Sequence, residues 1–254
     1  MTIPGKPRTD FDRGFRSRPL SRASRKTEKM KINSDFSERV VLHADEIPWR
    51  DSPMPGVSRR PLDRIGDEVA RATSIVRYDP GSHFSAHTHD GGEEFIVLEG
   101  VFQDEHGDFP AGSYIRNPPT SKHTPGSEAG CVIFVKLWQF DPDDRTHVRV
   151  AMNKTGAVTD PERPGIKVTP LFEDHREVVR VETWAPNAAS SFKADGGAEL
   201  LILEGSAQEG GDALRRHSWV RIPDGQTVSL KAGRDGALIW IKTGHLRHVR
   251  APGE

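Results

Sequence analysis

Two stretches of this chain, residues 91–100 and residues 196–205, have nearly the same sequence. The first is GGEEFIVLEG and the second is GGAELLILEG, so six of ten positions are identical. The dipeptide Pro-Leu at residues 61–62 recurs at residues 170–171, at a similar offset. The two long stretches start 105 residues apart, which is too long a period for a solenoid and fits a duplicated small domain. We therefore expect two related folding units.

The pattern within each unit favours an all-β fold. Short strand-like runs alternate with turns, the chain contains 24 glycines and 19 prolines, and no convincing amphipathic helix is present. We predict two tandem barrels of the double-stranded β-helix, or jelly-roll, type. The predicted domains are a basic, disordered leader (1–35), a first barrel (36–145) and a second barrel (160–250), with a polar, proline-containing join between the barrels.

Three histidines and one glutamate in the first unit have the spacing of a metal site. His87 and His89 are two residues apart in a strand-like segment, so both side chains point to one face with Cα atoms about 6.5–7 Å apart. Residues 90–92 predict a turn, after which Glu93 opens the next strand, and His123 follows a later strand. Three imidazole nitrogens and a carboxylate oxygen suit one divalent transition metal ion, with Zn, Fe and Mn as the leading candidates.

The second unit lacks all four of these side chains. When the two copies are aligned, the four positions hold the apolar residues Phe192, Ala194, Ala198 and Val228. The paired glycines and the Leu-Glu-Gly end of the repeat are retained. Both copies therefore keep the turn and core residues that the fold requires, and only the first keeps the side chains that could bind a metal. We predict a single metal in the first barrel and a second barrel without metal.

This arrangement resembles the cupin superfamily. The first cupin motif is matched without a gap by Gly81, His87, His89, Glu93 and Gly100. The second motif is matched by Pro110, Gly112 and His123. Residues 40–137 are also similar in sequence to the ChrR-type cupin subgroup. The resemblance implies two tandem cupin barrels, with the three histidines and the glutamate as the metal ligands of the first.

The resemblance leaves two classes of function open. Some cupins similar to this subgroup are enzymes that cleave small carbonyl compounds, and an octahedral metal with four protein ligands keeps two positions open. Others, attached to anti-sigma factors, are non-catalytic and respond to oxidative stress. Those carry an N-terminal zinc domain, whereas residues 1–40 here contain no histidine or cysteine. The leading prediction is a metal-dependent, dioxygenase-like oxidoreductase acting on a small carbonyl compound. The alternative is a non-catalytic sensor or small-molecule-binding protein linked to the stress response.

Two further side chains are candidates for a substrate pocket. Tyr114 and Arg116 share one face of the strand that leads to His123. If that face is the inner one, Arg116 could hold an anionic or enolate oxygen near the metal. The alternative is an outward-facing arginine on a half-exposed sheet. Lys136 has a counterpart in Lys242 of the second unit, which favours a structural role for Lys136.

Charge and composition limit the partners and the location. The 36 basic and 37 acidic residues give a net charge of −1, which argues against a nucleic-acid partner. Residues 1–30 hold nine of the basic residues and only three acidic ones. This stretch is a disordered leader, with Met30 as a candidate start, or an arm that contacts nucleic acid or a partner, or an organelle transit peptide, against which Asp10 and Asp12 argue.

A single cysteine, Cys131, and the lack of a long apolar run predict a cytoplasmic protein with no disulfide and no membrane segment. We expect a small-molecule substrate or ligand as its partner. The resemblance to cupins further suggests a homodimer.

Overall fold

The chain is built almost entirely from short antiparallel strands. The structure is a computed structural model that describes residues 1–2 and 29–253. The strands up to the middle of the chain are β1 (Lys31–Ile32), β2 (Val40–His43), β3 (Arg50–Asp51), β4 (Val57–Ile65), β5 (Arg71–Tyr78), β6 (Ser82–His83), β7 (His87–Thr88), β8 (Glu93–Asp104), β9 (Gly107–Pro110), β10 (Ser113–Asn117), β11 (Lys122–His123), β12 (Gly126–Ser127), β13 (Cys131–Leu137) and β14 (Val148–Ala151).

The later strands are β15 (Val158–Thr159), β16 (Ile166–Glu173), β17 (Val178–Trp184), β18 (Ala189–Lys193), β19 (Ala198–Glu209), β20 (Asp212–Arg215), β21 (Ser218–Ile222) and β22 (Thr227–Thr243). Two short 3₁₀ helices, Ala44–Glu46 and His245–His248, are the helical elements of the described residues. A search of these residues found no helix with the length and apolar character needed to cross a membrane.

The strands form two large antiparallel sheets. The first has the order β1-β4-β5-β13-β8-β10-β14, with β3, β6, β9 and β12 attached beside it. The second has the order β15-β16-β17-β22-β19-β21-β2, with β18 and β20 attached. β7 and β11 pair as a two-stranded sheet of their own. The predicted all-β fold of two tandem barrels is confirmed.

The duplicated stretches occupy equivalent places in the two sheets. β8 lies between β13 and β10, and β19 lies between β22 and β21. The glycine that ends each copy has a positive φ, +71° at Gly100 and +72° at Gly205. A Cβ there would lie 2.0 Å from the carbonyl oxygen of Gly130 and 2.2 Å from that of Gly236, respectively. The shared close approach of two backbones explains why both copies require glycine.

Each sheet also receives a strand that the predicted domain boundaries do not assign to it. β2 pairs with β21 of the second sheet, although it lies inside the range predicted for the first barrel. β14 lies in the predicted join and pairs with β10. Edge strands have unpaired backbone groups that any nearby extended segment can satisfy, and a strand's own sequence does not identify its partner. The domain boundaries therefore stay a prediction.

Residues 31–32 form an edge strand of the first sheet. β1 pairs with the end of β4, although it falls inside the segment predicted to be a disordered leader. Two residues with alternating burial are enough to add an edge strand, and the sequence offers no pattern long enough to show it. Residues 3–28, which contain most of the basic side chains, lie outside the described residues.

The two faces of the central strands are buried against different partners. Alternate residues of β8, β10 and β13, among them Phe95, Ile115 and Ile133, pack in the interior of the first barrel. The residues between them pack against the second barrel and include Ile96, Tyr114 and Phe134. All five residues of β10 are consequently buried. A strand of this kind does not show the hydrophobic and polar alternation of a half-exposed sheet.

Candidate metal centre

The three histidines and the glutamate are brought together by two neighbouring pairs of strands. His87 on β7 lies directly opposite His123 on β11. His89 follows β7, and Glu93 is the first residue of β8 after the turn. Glu93 is in turn paired with Asn117, the last residue of β10. The local geometry predicted from the spacing, with two histidines on one face and a turn before the glutamate, is the one observed.

Their ligand-type atoms converge on one point. His89 Nε2 lies 3.2 Å from His87 Nε2 and 3.3 Å from Glu93 Oε2. His123 Nε2 lies 3.5 Å from the same carboxylate oxygen. One such atom from each of the four residues can be chosen so that all lie within 4.8 Å of one another. Atoms bound to a single ion at about 2.1 Å are about 3–3.5 Å apart, so the separations of 3.2, 3.3 and 3.5 Å match those of atoms that share one metal ion.

The far side of each imidazole is held by a hydrogen-bond partner. His89 Nδ1 lies 3.1 Å from Ser121 Oγ, and His123 Nδ1 lies 3.2 Å from Asp104 Oδ2. His87 Nδ1 is 3.3 Å from a backbone carbonyl oxygen two residues earlier. Such contacts orient the ring so that Nε2 faces the centre, as is usual for histidines that bind metals.

Glu93, like the histidines, is held in place by a hydrogen bond. Asn117 Nδ2 donates this bond to Glu93 Oε2 over 3.2 Å. Sequence analysis missed Asn117. The internal repeat contained a signal for it, since the residue paired with Ala198 in the second sheet is the apolar Ile222. Ser121 and Asp104 were missed too. Asp104 pairs with the first residue of β9, and Glu209 pairs in the same way with the first residue of β20. Because both copies have an acidic residue at this position, comparing them does not single out Asp104.

Burial and the nearby carboxylates shift the pKa values of the two buried histidines in opposite directions. Burial lowers the pKa of His89, with the charge of Glu93 acting in the opposite direction. Burial also acts to lower the pKa of His123, but its hydrogen bond to Asp104 and the nearby carboxylates outweigh this and raise it. His123 Nε2 is buried and has no hydrogen-bond partner. A bound metal ion would satisfy this orphaned nitrogen, so the residues present fit such an ion.

The cluster opens onto a cavity of about 520 Å³ inside the first barrel. His87, His89 and Glu93 form part of its wall. The remaining wall is largely apolar and includes Val57, Ala72, Val76, Phe84, Ile133, Val135 and Leu137. His87 is exposed, while the other three cluster residues are buried. A volume of this size, with convergent polar groups on an apolar wall, is typical of small-molecule sites.

Residues 37–141, which contain the whole cluster, match the ChrR Cupin-like domain family. The expected relationship to ChrR-type cupins is confirmed for the first barrel, and the match does not extend to the second. No curated protein matches the chain.

Solved structures show that the cupin fold extends beyond the ChrR cupin-like domain. A candidate dioxygenase of Nostoc punctiforme gives a TM-score of 0.67 at 16% identity, covering 84% of this chain and 85% of that one. The pirin YhhW of Escherichia coli, in complex with nickel(II), gives 0.60 at 14% identity, covering 82% and 99%. Oxalate decarboxylase of Bacillus subtilis, which has Mn(II) centres, gives 0.59 at 11% identity, covering 83% and 78%. At these identities the likeness is one of fold alone.

The second barrel repeats the strand pairing of the first around an apolar interior. Phe192 lies opposite Val228, as His87 lies opposite His123. Val228 and the other two substituted positions, Ala194 and Ala198, are fully buried in an apolar core. The aligned positions are thus equivalent in space, and the side chains there fill the barrel interior.

Tyr114 and Arg116 lie away from the cavity, which corrects the prediction that they face the metal. Tyr114 Oη donates a 2.7 Å hydrogen bond to Glu94, and Arg116 pairs with Asp144 at 3.0 Å and with Glu177 at 2.5 Å. Both side chains are on the face of β10 that packs against the second barrel. The alternation of the strand placed them correctly on one shared face, but the sequence did not show which face is the interior.

Proposed function

We propose that His87, His89, Glu93 and His123 bind one divalent first-row transition metal ion, with Zn, Fe and Mn as candidates. We further propose that the protein is a metal-dependent enzyme of the dioxygenase-like oxidoreductase class that acts on a small carbonyl compound. One observation carries this proposal: four ligand atoms converge on one point, and three of the residues that supply them, His87, His89 and Glu93, form part of the wall of a cavity large enough for a substrate.

The open cavity favours an enzyme over a purely structural metal site. Structural zinc sites are closed by four protein ligands, whereas catalytic sites keep a position for substrate or water. A divalent ion bound here would supply a Lewis acid that polarises an oxygen of the substrate. The chain's own residues would orient that substrate against the cluster. The apolar wall would keep bulk water away from it and so strengthen polar interactions inside.

The similar solved structures support the proposed metal binding more strongly than the proposed dioxygenase-like reaction. The pirin was solved with nickel(II), and oxalate decarboxylase has Mn(II) centres. The candidate dioxygenase of Nostoc punctiforme is similar over most of both chains. Affinities of nitrogen and oxygen sites for these divalent ions overlap, so the ligand set alone does not select among them.

The proposal is tested by metal analysis together with dioxygen uptake. The purified full chain is analysed for metal content, then stripped, loaded anaerobically with Fe(II), and supplied with β-diketones and hydroxyacetophenones in an oxygen electrode. One iron per chain with substrate-dependent oxygen consumption is the expected result. One tightly held zinc ion, with no turnover under any loading condition, would disprove the proposal that the protein is an enzyme. That result would favour a non-catalytic sensor or binding protein. Absence of stoichiometric metal would disprove the assignment of the four residues as a metal site.

A further inference from the structure

Two arginines, Arg59 and Arg64, stand on the wall of the cavity onto which the histidine cluster opens. Both belong to β4, whose pairing with β5 shifts register between Pro61 and Asp63. An extra residue in a strand changes the face to which the following side chains point. The bulge therefore lets one odd-numbered and one even-numbered arginine line the same cavity. Both also line a neighbouring cavity of about 460 Å³, so they separate the two spaces.

Neither arginine forms an ion pair within the part of the chain that the structure describes. Arg59 donates from Nη2 to Ser52 Oγ, while its Nε is buried with no hydrogen-bond partner. Arg64 is 8% exposed and donates from Nε to the carbonyl oxygen of Gly66. The remaining guanidinium donors of both side chains are left without a protein acceptor among the described residues.

Arg64 is buried and Arg59 is half-buried. The other buried arginines of the described residues pair with carboxylates. The pairs are Arg71 with Asp63 at 3.5 Å, Arg221 with Asp63 at 3.5 Å, and Arg116 with Asp144 at 3.0 Å. Buried charges are rarely left unpaired, because taking a charge out of water costs more than a single neutral hydrogen bond returns. Arg64 is therefore the exception among the buried arginines, and with the half-buried Arg59 it leaves two cations on the cavity wall for a partner from outside the chain to pair with.

The acidic groups near the cavity do not fill that role. Glu68 stands exposed on the same wall, and its charge acts on Arg59 without an ion pair. Asp67 acts in the same way on Arg64. Burial lowers the pKa of both arginines, yet a guanidinium remains charged near neutral pH. Glu93 is already engaged by the histidines and Asn117.

We infer that the cavity binds a small carboxylate with an apolar body, whose carboxylate group is held by Arg59 and Arg64. The planar guanidinium matches a carboxylate with two parallel hydrogen bonds, and the apolar wall of β5 and β13 accommodates the rest of the molecule. This inference deepens the proposed function, because a carbonyl oxygen elsewhere in the same molecule would face the histidine cluster. The carboxylate site itself does not depend on the metal.

The test measures binding of 4-oxo-4-phenylbutanoate and of its amide by isothermal titration calorimetry. The two probes have the same shape and differ in charge at one end, while the ketone lies at the other end. Titrations use the full chain, once stripped with a chelator and once loaded with Zn(II). We expect the acid to bind the stripped protein at least about tenfold more tightly than the amide, as expected for hydrogen bonds between charged groups.

The matched variants are Arg59→Met and Arg60→Met. Methionine keeps much of the length and apolar character of the Arg59 stem, whereas the guanidinium of the neighbouring Arg60 lies 4.2 Å from the centre of the Trp49 ring. We expect Arg59→Met to weaken acid binding about tenfold or more and to abolish discrimination between acid and amide. Arg60→Met should leave both affinities within about twofold of the original.

Equal binding of acid and amide to the unaltered protein would overturn the inference without any variant, and so would the absence of measurable acid binding. Discrimination that survives in a folded Arg59→Met protein would overturn the role of Arg59. Binding of the acid by a protein that takes up no metal would leave this inference standing while the proposed function fails. Tighter acid binding after Zn(II) loading would support both.

Discussion

At the scale of single residues, the metal cluster is defined by what the two halves of the chain do not share. His87 and His123 face each other on β7 and β11, and Phe192 and Val228 do so on β18 and β22. The facing positions are equivalent, so this strand arrangement does not itself require histidines. The same reasoning extends to Asn117, which orients Glu93 and is replaced by an isoleucine in the second sheet.

We predict that His87→Ala abolishes stoichiometric metal binding and leaves the fold intact. His87 is an exposed member of the cluster, so its removal deletes one ligand without opening a core cavity. Metal content after dialysis, measured by plasma mass spectrometry, checks this. His83→Ala is the matched control, since that histidine is exposed and lies 2.9 Å from Glu128. Full metal content in the His87 variant would disprove the ligand assignment.

At the scale of elements, the central strands β8 and β19 depend on one glycine each. Gly100 and Gly205 adopt a left-handed conformation where a second backbone comes very close. A side chain would be strained by the positive φ and would also contact a carbonyl oxygen. The repeat retains these glycines because the close approach of the two backbones cannot form otherwise. This explains a sequence identity that the metal chemistry does not.

We predict that Gly100→Ala destabilises the protein by about 2–4 kcal/mol, because backbone strain and a steric clash occur together. The Cβ would lie 2.0 Å from the oxygen of Gly130, and backbone atoms cannot move away as a flexible side chain can. Denaturant unfolding followed by circular dichroism measures the change. Gly156→Ala is the control, since a Cβ there meets nothing within 4 Å. Equal stability of both variants would refute the account of Gly100.

At the scale of the whole molecule, the barrels are joined by buried ion pairs that cross between them. Lys136 of the first barrel pairs with Glu199 of the second, and Lys242 of the second pairs with Glu94 of the first at 2.5 Å. These are equivalent residues of the two copies, so the interface repeats the duplication. The structural role expected for Lys136 is the one observed. His245 joins the network with a 3.0 Å contact to Glu199.

We predict that this network makes the protein lose stability as the pH falls below about 6.5. Burial, with Lys242 and Lys136 adding to it, lowers the pKa of His245 to about 4 against the opposing charge of Glu199. Between pH 6.5 and 4 the unfolded chain binds a proton there that the folded chain does not, so folding weakens with falling pH. This residue's share is about 3 kcal/mol.

A second loss follows at lower pH. Burial acts to raise the pKa of Glu94, but Lys242 and Arg116 outweigh it and hold the value at about 2. The stability from this carboxylate is present above its unfolded pKa and is lost as the pH falls towards 2. Urea unfolding at a series of pH values measures both losses. His245→Gln should reduce the slope between pH 6.5 and 4, and an unchanged slope there would contradict the assignment.

The sequence by itself determined the duplication, the all-β fold, the four residues of the cluster and the barrel that carries them. These follow from local spacing and from comparing two copies of one unit, neither of which requires knowledge of distant contacts. Only the tertiary structure decided that Tyr114 and Arg116 face the second barrel, that β2 joins the second sheet, and that Arg59 and Arg64 line the cavity. Strand alternation separates two faces without showing what covers each one. Pairing between remote segments depends on how the sheets pack, because neither partner's own sequence specifies the other.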